Sequence, residues 1–133
     1  MLMLAACGSA PPEYNPPPGA LVPGTAQVSV NGQDATTTDA VSCHTTGPLT
    51  TITTGNAESG ITAMVSNETE LVTEFVNITN LGGFTGSYNN GLGGEATITM
   101  TDRTYDISGT ADGFDTDNPS FRVPGTFAIK VAC

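Results

Sequence analysis

From residue 25 onward, apolar and polar positions alternate in short runs separated by turn-forming residues. Ala26-Gln27-Val28-Ser29-Val30 has the period of two that places alternate side chains on opposite faces of a strand, and Asn31-Gly32 behind it is a tight-turn signal. The same reading predicts strands over residues 40–45, with Val41 and Cys43 on one face, over 49–54 ending at Gly55-Asn56, and over 61–65 ending at Ser66-Asn67. Residues 71–79 form the longest apolar run, with Val72, Phe75, Val76 and Ile78; their β-branched content predicts a strand rather than a helix. A short strand is expected over 84–88 and a flexible loop over Asn89 to Gly94. Two more strands follow, 96–100 and 105–111, joined by a turn at Asp102-Arg103. Residues 113–124 read as irregular, with one helical turn near 115–118. Phe127, Ile129, Val131 and Cys133 then close the chain on one alternating face.

Strands spaced about ten residues apart predict a mostly-β fold: an antiparallel β-sandwich or a rolled sheet, with at most one or two short helical turns. Burial of a large aliphatic or aromatic side chain contributes about 1.5–3 kcal/mol. Roughly fifteen such positions make only a thin core for a domain of this size. Cys43 is in phase with Val41 and Cys133 with Val131, so both thiols fall on the inward parity of their strands. A buried disulfide between them is expected.

The N-terminal part has a different texture. Leu4-Ala5-Ala6-Cys7 matches the bacterial lipobox, in which small residues precede a cysteine whose thiol accepts a diacylglyceryl group. Residues 1–7 read as the remnant of a signal peptide. Its basic and apolar parts are expected upstream, because only six residues precede Cys7 and none is Lys or Arg. Residues 8–24 hold six prolines, which fix φ and remove donors, so an extended linker reaching on the order of 50 Å is expected. The expected organisation is therefore 1–7 leader and lipobox, 8–24 linker, and 25–133 a β-rich domain. Two or more acyl chains on Cys7 would make a durable membrane anchor on the extracytoplasmic side of the envelope.

Composition narrows the function. The formal net charge is −10, and Arg103, Arg122 and Lys130 are the only strong bases. Nucleic-acid binding needs clustered Lys and Arg, so no nucleic-acid partner is expected. The same deficit argues against electrostatic docking on anionic lipid. His44 is the sole histidine, and no ligand pair has metal spacing. Asp112, Asp115, Asp117 and Asn118 are rich in oxygen but lack the spacing of a calcium loop, and read as a solvated turn. Glu68, Glu70 and Glu74 could be imagined as a glycosidase carboxylate pair, yet few aromatics are present to hold a sugar. No catalytic residue, metal or cofactor is expected, and the chain reads as a non-enzyme. An alternative task is a carrier that binds acyl chains or glycolipids, with Val72, Phe75, Val76, Ile78 and Phe84 as candidates to line an apolar cavity. Asn67-Glu68-Thr69 and Asn77-Ile78-Thr79 match the N-glycosylation acceptor pattern, which a bacterial export route leaves silent.

Several segments together resemble a known family. They are Val28-Ser29-Val30-Asn31-Gly32-Gln33-Asp34, Val41-Ser42-Cys43, Gly60-Ile61-Thr62-Ala63, Tyr105 to Ala111, Asn118-Pro119 and Phe127 to Cys133. In this order they are similar to the mycobacterial 19-kilodalton lipoprotein antigen family of the LpqH type, over about residues 26–133. The linker differs, being Pro-rich here where the family's namesake is rich in Thr, Ser and Ala. The resemblance implies a surface-exposed, acylated and often glycosylated antigen. It implies Cys7 as the acylation site, Cys43 with Cys133 as the disulfide, and a Toll-like receptor of the host as a partner of the acylated N-terminus in pathogenic members. It implies no catalytic residue.

Overall fold

The computed structural model describes residues 17–33, 36–56 and 58–133. Ten strands account for most of them: β1 Thr25–Val30, β2 Thr36–Thr38, β3 Val41–Thr46, β4 Leu49–Gly55, β5 Gly60–Ser66, β6 Val72–Leu81, β7 Phe84–Asn89, β8 Ala96–Thr101, β9 Thr104–Asp115 and β10 Arg122–Ala132. All pairings are antiparallel, in the order β2-β1-β10-β9-β7-β6-β5-β4-β3, with β8 added beside β9. The sheet rolls into a nearly closed barrel, the rolled form of the two architectures expected, and the described residues contain no helix.

The rolling follows from the alternation. Val28, Val30, Ile52, Ile61, Val65, Val76, Ile78, Ile107, Ile129 and Val131 are all buried on the inner face. Phe84, fully buried, fills the middle of one wall. Its ring lies where side chains at Gly86 and Gly125 would stand: a methyl group at either position would come within 2.6 Å of the ring edge. A strand glycine that gives its space to a neighbouring aromatic ring keeps the wall tight where it would otherwise be weak.

The turn signal at Asn31-Gly32 forms as expected. Both residues have positive φ, 56° and 74°, and Gln33 N–H donates to Val30 O at 3.2 Å. That is the primed turn whose twist suits antiparallel strands. The turn is also tied to β10: Asn31 N–H donates to Thr126 O, and Thr126 N–H donates to Asn31 Oδ1 at 3.0 Å.

Three stretches differ from the sequence reading. The region 113–124 is not irregular throughout, since β9 runs to Asp115 and β10 starts at Arg122. Glycine at 113 and proline at 124 hid these ends. Pro124 is tolerated because the β1 ladder on β10 stops at Phe127, leaving β9 as the one strand paired with β10 at that point. The expected helical turn is a reverse turn, with Asn118 N–H donating to Asp115 O at 2.9 Å. Finally, Thr36–Thr38 forms a three-residue edge strand that carries no apolar signal.

Candidate functional site

The lipobox, Cys7 and the first half of the linker lie outside the described residues. Residues 17–24, the last part of the expected linker, run along the outside of the barrel as a strap. Ala20 N–H donates to Pro17 O at 2.9 Å, Leu21 N–H to Thr104 Oγ1 at 2.9 Å and Gly24 N–H to Ala132 O at 2.8 Å. Thr104 and Ala132 are each only 1% exposed although their neighbours on the inner parity are Tyr105 and Val131. The strap therefore brings the N-terminal segment to the end of the barrel where β10 finishes and β8 turns into β9. The Asn31, Gly82-Gly83 and Asp115 to Phe121 turns stand at the opposite, distal end.

Cys43 and Cys133 form the disulfide, with their Cα atoms 5.8 Å apart. It lies at the seam, joining the last strand of the rolled order, β3, to the residue that follows β10. The bridge is not buried as the alternation suggested: Cys43 is half-buried and Cys133 exposed. Cys133 lies beyond the last residue of β10, past the cover that the inner parity provides.

The five residues expected as cavity lining are not gathered around a cavity. Val76, Ile78 and Phe84 are packed in the core, and Val72 and Phe75 are half-buried. Phe75 faces outward opposite Met64, on the same parity as Asn77, and a bulge between Met64 and Val65 shifts the β5–β6 register so that Thr73 faces inward. A mainly apolar slot of about 200 Å³ lies near the distal end of the seam, with Val28, Leu81, Thr36 and Thr54 on its walls. A larger one, about 450 Å³, lies on the outer face across β6, β7, β9 and β10, where Asn77, Asp112, Phe114 and Arg122 stand around it.

The other residues weighed for chemistry are scattered. His44 is exposed on β3 opposite Thr51. Glu68 and Glu70 sit in the exposed β5–β6 loop, whereas Glu74 is the extra residue of the bulge and its carbonyl accepts a hydrogen bond from Asn90 N–H at 2.9 Å. Asp115 and Asp117 belong to the distal turn, and Asp112 faces the outer groove from β9. No group of three or more His, Cys, Asp or Glu side chains is placed to hold a metal ion among the described residues.

The architecture is that of a small β-barrel module closed by one disulfide. The chain belongs to the Mycobacterium 19 kDa lipoprotein antigen family, whose profile matches residues 19–133. It is 38% identical to a lipoprotein of Mycobacterium indicus pranii over 98% of this chain and 89% of that protein. It is 35% identical to lipoprotein LpqH of Mycobacterium tuberculosis H37Rv over 80% of this chain and 68% of that protein. Lipoprotein LpqH of Mycobacterium avium is 33% identical over 80% of this chain and 67% of its own length. The family match begins at residue 19, inside the strap.

Proposed function

We propose that the chain is an exported, lipid-anchored protein of the cell envelope with a structural, adhesive or antigenic role and no catalytic step. Cys7 carries the acyl chains, the membrane is the first partner, and the barrel stands on the extracytoplasmic side. The observation that carries this reading is the Leu4-Ala5-Ala6-Cys7 tetrapeptide ahead of a barrel in a family of lipoproteins. Only nine residues separate Cys7 from the strap at Pro17, so an extended spacer there reaches about 30 Å at most. The strapped end of the barrel then faces the membrane and the distal turns face outward. The acylated N-terminus, rather than the barrel, is the part a host Toll-like receptor would engage.

The carrier reading asks for an apolar cavity of about 300–1,000 Å³. The seam slot, at about 200 Å³, falls short of that range, so anchoring without transport is the reading adopted. Expression of the gene with its natural upstream sequence in a mycobacterial host tests it. Mass spectrometry of the N-terminal peptide is expected to find diacylglyceryl-modified Cys7, and Cys7→Ala is expected to move the protein from the detergent phase to the aqueous phase. An unmodified Cys7 in cytoplasmic material would overturn the reading. Lipid recovered in stoichiometric amount with the delipidated-anchor variant would restore the carrier.

A further inference from the structure

We propose that the outer face of β6, β7, β9 and β10 binds a neutral, polyhydroxylated ligand: a glycan chain lying across the strands. The groove there has a volume of about 450 Å³ and lies in the distal half of the barrel, away from the strap. Two cross-strand rows build it. Asn77, Ser87 and Asp112 are successive partners in one row, and Thr85, Phe114 and Arg122 in the next. Between the rows, Gly86 pairs with Gly113, so the floor is bare backbone.

The chemistry of these groups is mixed in the way adjacent hydroxyls require. A carboxylate only accepts, a guanidinium only donates, and amide and hydroxyl groups do both. Each sugar hydroxyl likewise donates once and accepts, so a vicinal pair can bridge the cross-strand partners Asp112 and Ser87, while Asn77 and Arg122 stand for hydroxyls further along the chain. Phe114, half-buried, offers a ring for the C–H face of a pyranose. Among the described residues, the side chains of Asn77, Ser87, Asp112 and Arg122 make no hydrogen bond to protein, so they are available.

Charge selects the ligand class. The groove holds one acid and one base, which offset each other, on a chain of net charge −10 with three strong bases. An anionic polymer would meet repulsion outside Arg122, and a cationic one would meet Arg122 itself. A neutral chain meets neither.

The track is longer than the groove. The first row continues through Thr62, Thr53 and Ser42 on β5, β4 and β3. A second depression of about 360 Å³ beside Thr53 and Thr62 shares Thr79 with the first. At about 4.8 Å per strand, the six strands from β3 to β9 give roughly 24 Å of regularly spaced hydroxyl, amide and carboxylate groups, near one sugar unit per strand. This goes beyond anchoring and does not depend on it.

The test is an NMR titration of the full chain with three probes: cellohexaose, a mannohexaose and a heparin-derived hexasaccharide. At least one neutral hexasaccharide is expected to shift the amides of Asn77, Ser87, Asp112 and Phe114 at millimolar concentration. Phe114→Ala should raise Kd about tenfold or more and Arg122→Gln several-fold, each with an unchanged melting temperature. Asp112→Asn, which keeps the shape, separates loss of a contact from loss of fold. Absence of shifts with both neutral probes, shifts that survive Phe114→Ala and Arg122→Gln, or binding of the anionic probe alone would each overturn the proposal.

Discussion

The two sides of this barrel are held together by different physics. The wall made of β5, β6, β7, β9 and β10 is joined strand to strand by backbone pairing, interrupted only by register shifts along β6, with eleven residue pairs between β9 and β10 alone. Its middle is sealed by Phe84 lying on Gly86 and Gly125. The seam side has short strands at both ends of the order, β2 with three residues and β3 with six. The Cys43–Cys133 bond ties one of those ends, β3, across the seam to the residue after β10. A sheet too short to close by hydrogen bonds alone can thus be closed by one covalent link, and a thin core then suffices. The disulfide also spans 90 residues, nearly the whole domain, so it restrains the unfolded chain as well as the edge strand.

The comparison can be broken from the seam first. Cys43→Ser is expected to cost about 4–5 kcal/mol, the loop-closure value for a crosslink of this length. Denaturant unfolding measures it. A reductant should lower the midpoint of the wild type and leave the variant unmoved; equal midpoints for the two proteins would show that the seam closes without the bond. On the wall, Phe84→Ala should cost about 3–4 kcal/mol. The lower part of the usual range is expected because the backbone at Gly86 and Gly125 can settle into the vacated space. Calorimetry of the oxidised protein gives the number, and a loss under 1 kcal/mol would mean that the ring is not what seals the wall.

Gly125→Ala probes the same contact from the other side. Its methyl group would meet the Phe84 ring at 2.6–2.8 Å, so a loss of about 1–3 kcal/mol from overpacking is expected. In the Phe84→Ala background the same change should be nearly neutral, and a double-mutant cycle reads the coupling directly. The smallest effect belongs to the bulge. Thr73 is buried and its hydroxyl has no hydrogen-bond partner among the described residues. Thr73→Val keeps the shape and removes the orphan, so stability should stay level or rise by up to about 1 kcal/mol. A clear loss would reveal a partner for that oxygen, such as an ordered water.

Alternation by itself determined the class of fold, the position of most strands and the Asn31-Gly32 turn, because side-chain period and positive φ are local properties of the chain. The pairing of Cys43 with Cys133 was likewise legible, because both fall on the inward parity of their strands. Tertiary structure alone decided the rest. The β5–β6 bulge turned Thr73 inward, out of step with the alternation of Val76 and Ile78, so the run Leu71 to Thr79 does not keep one parity throughout. Pairing with β9 made a strand of the stretch around Pro124, and the position of Cys133 just past β10 left the disulfide at the surface. The outer groove was invisible for the same reason. Asn77, Ser87, Asp112 and the Phe114–Arg122 pair come from four strands, and what aligns them is the inter-strand register. Register is fixed by how whole faces bury together, a non-local sum that no short window of sequence contains.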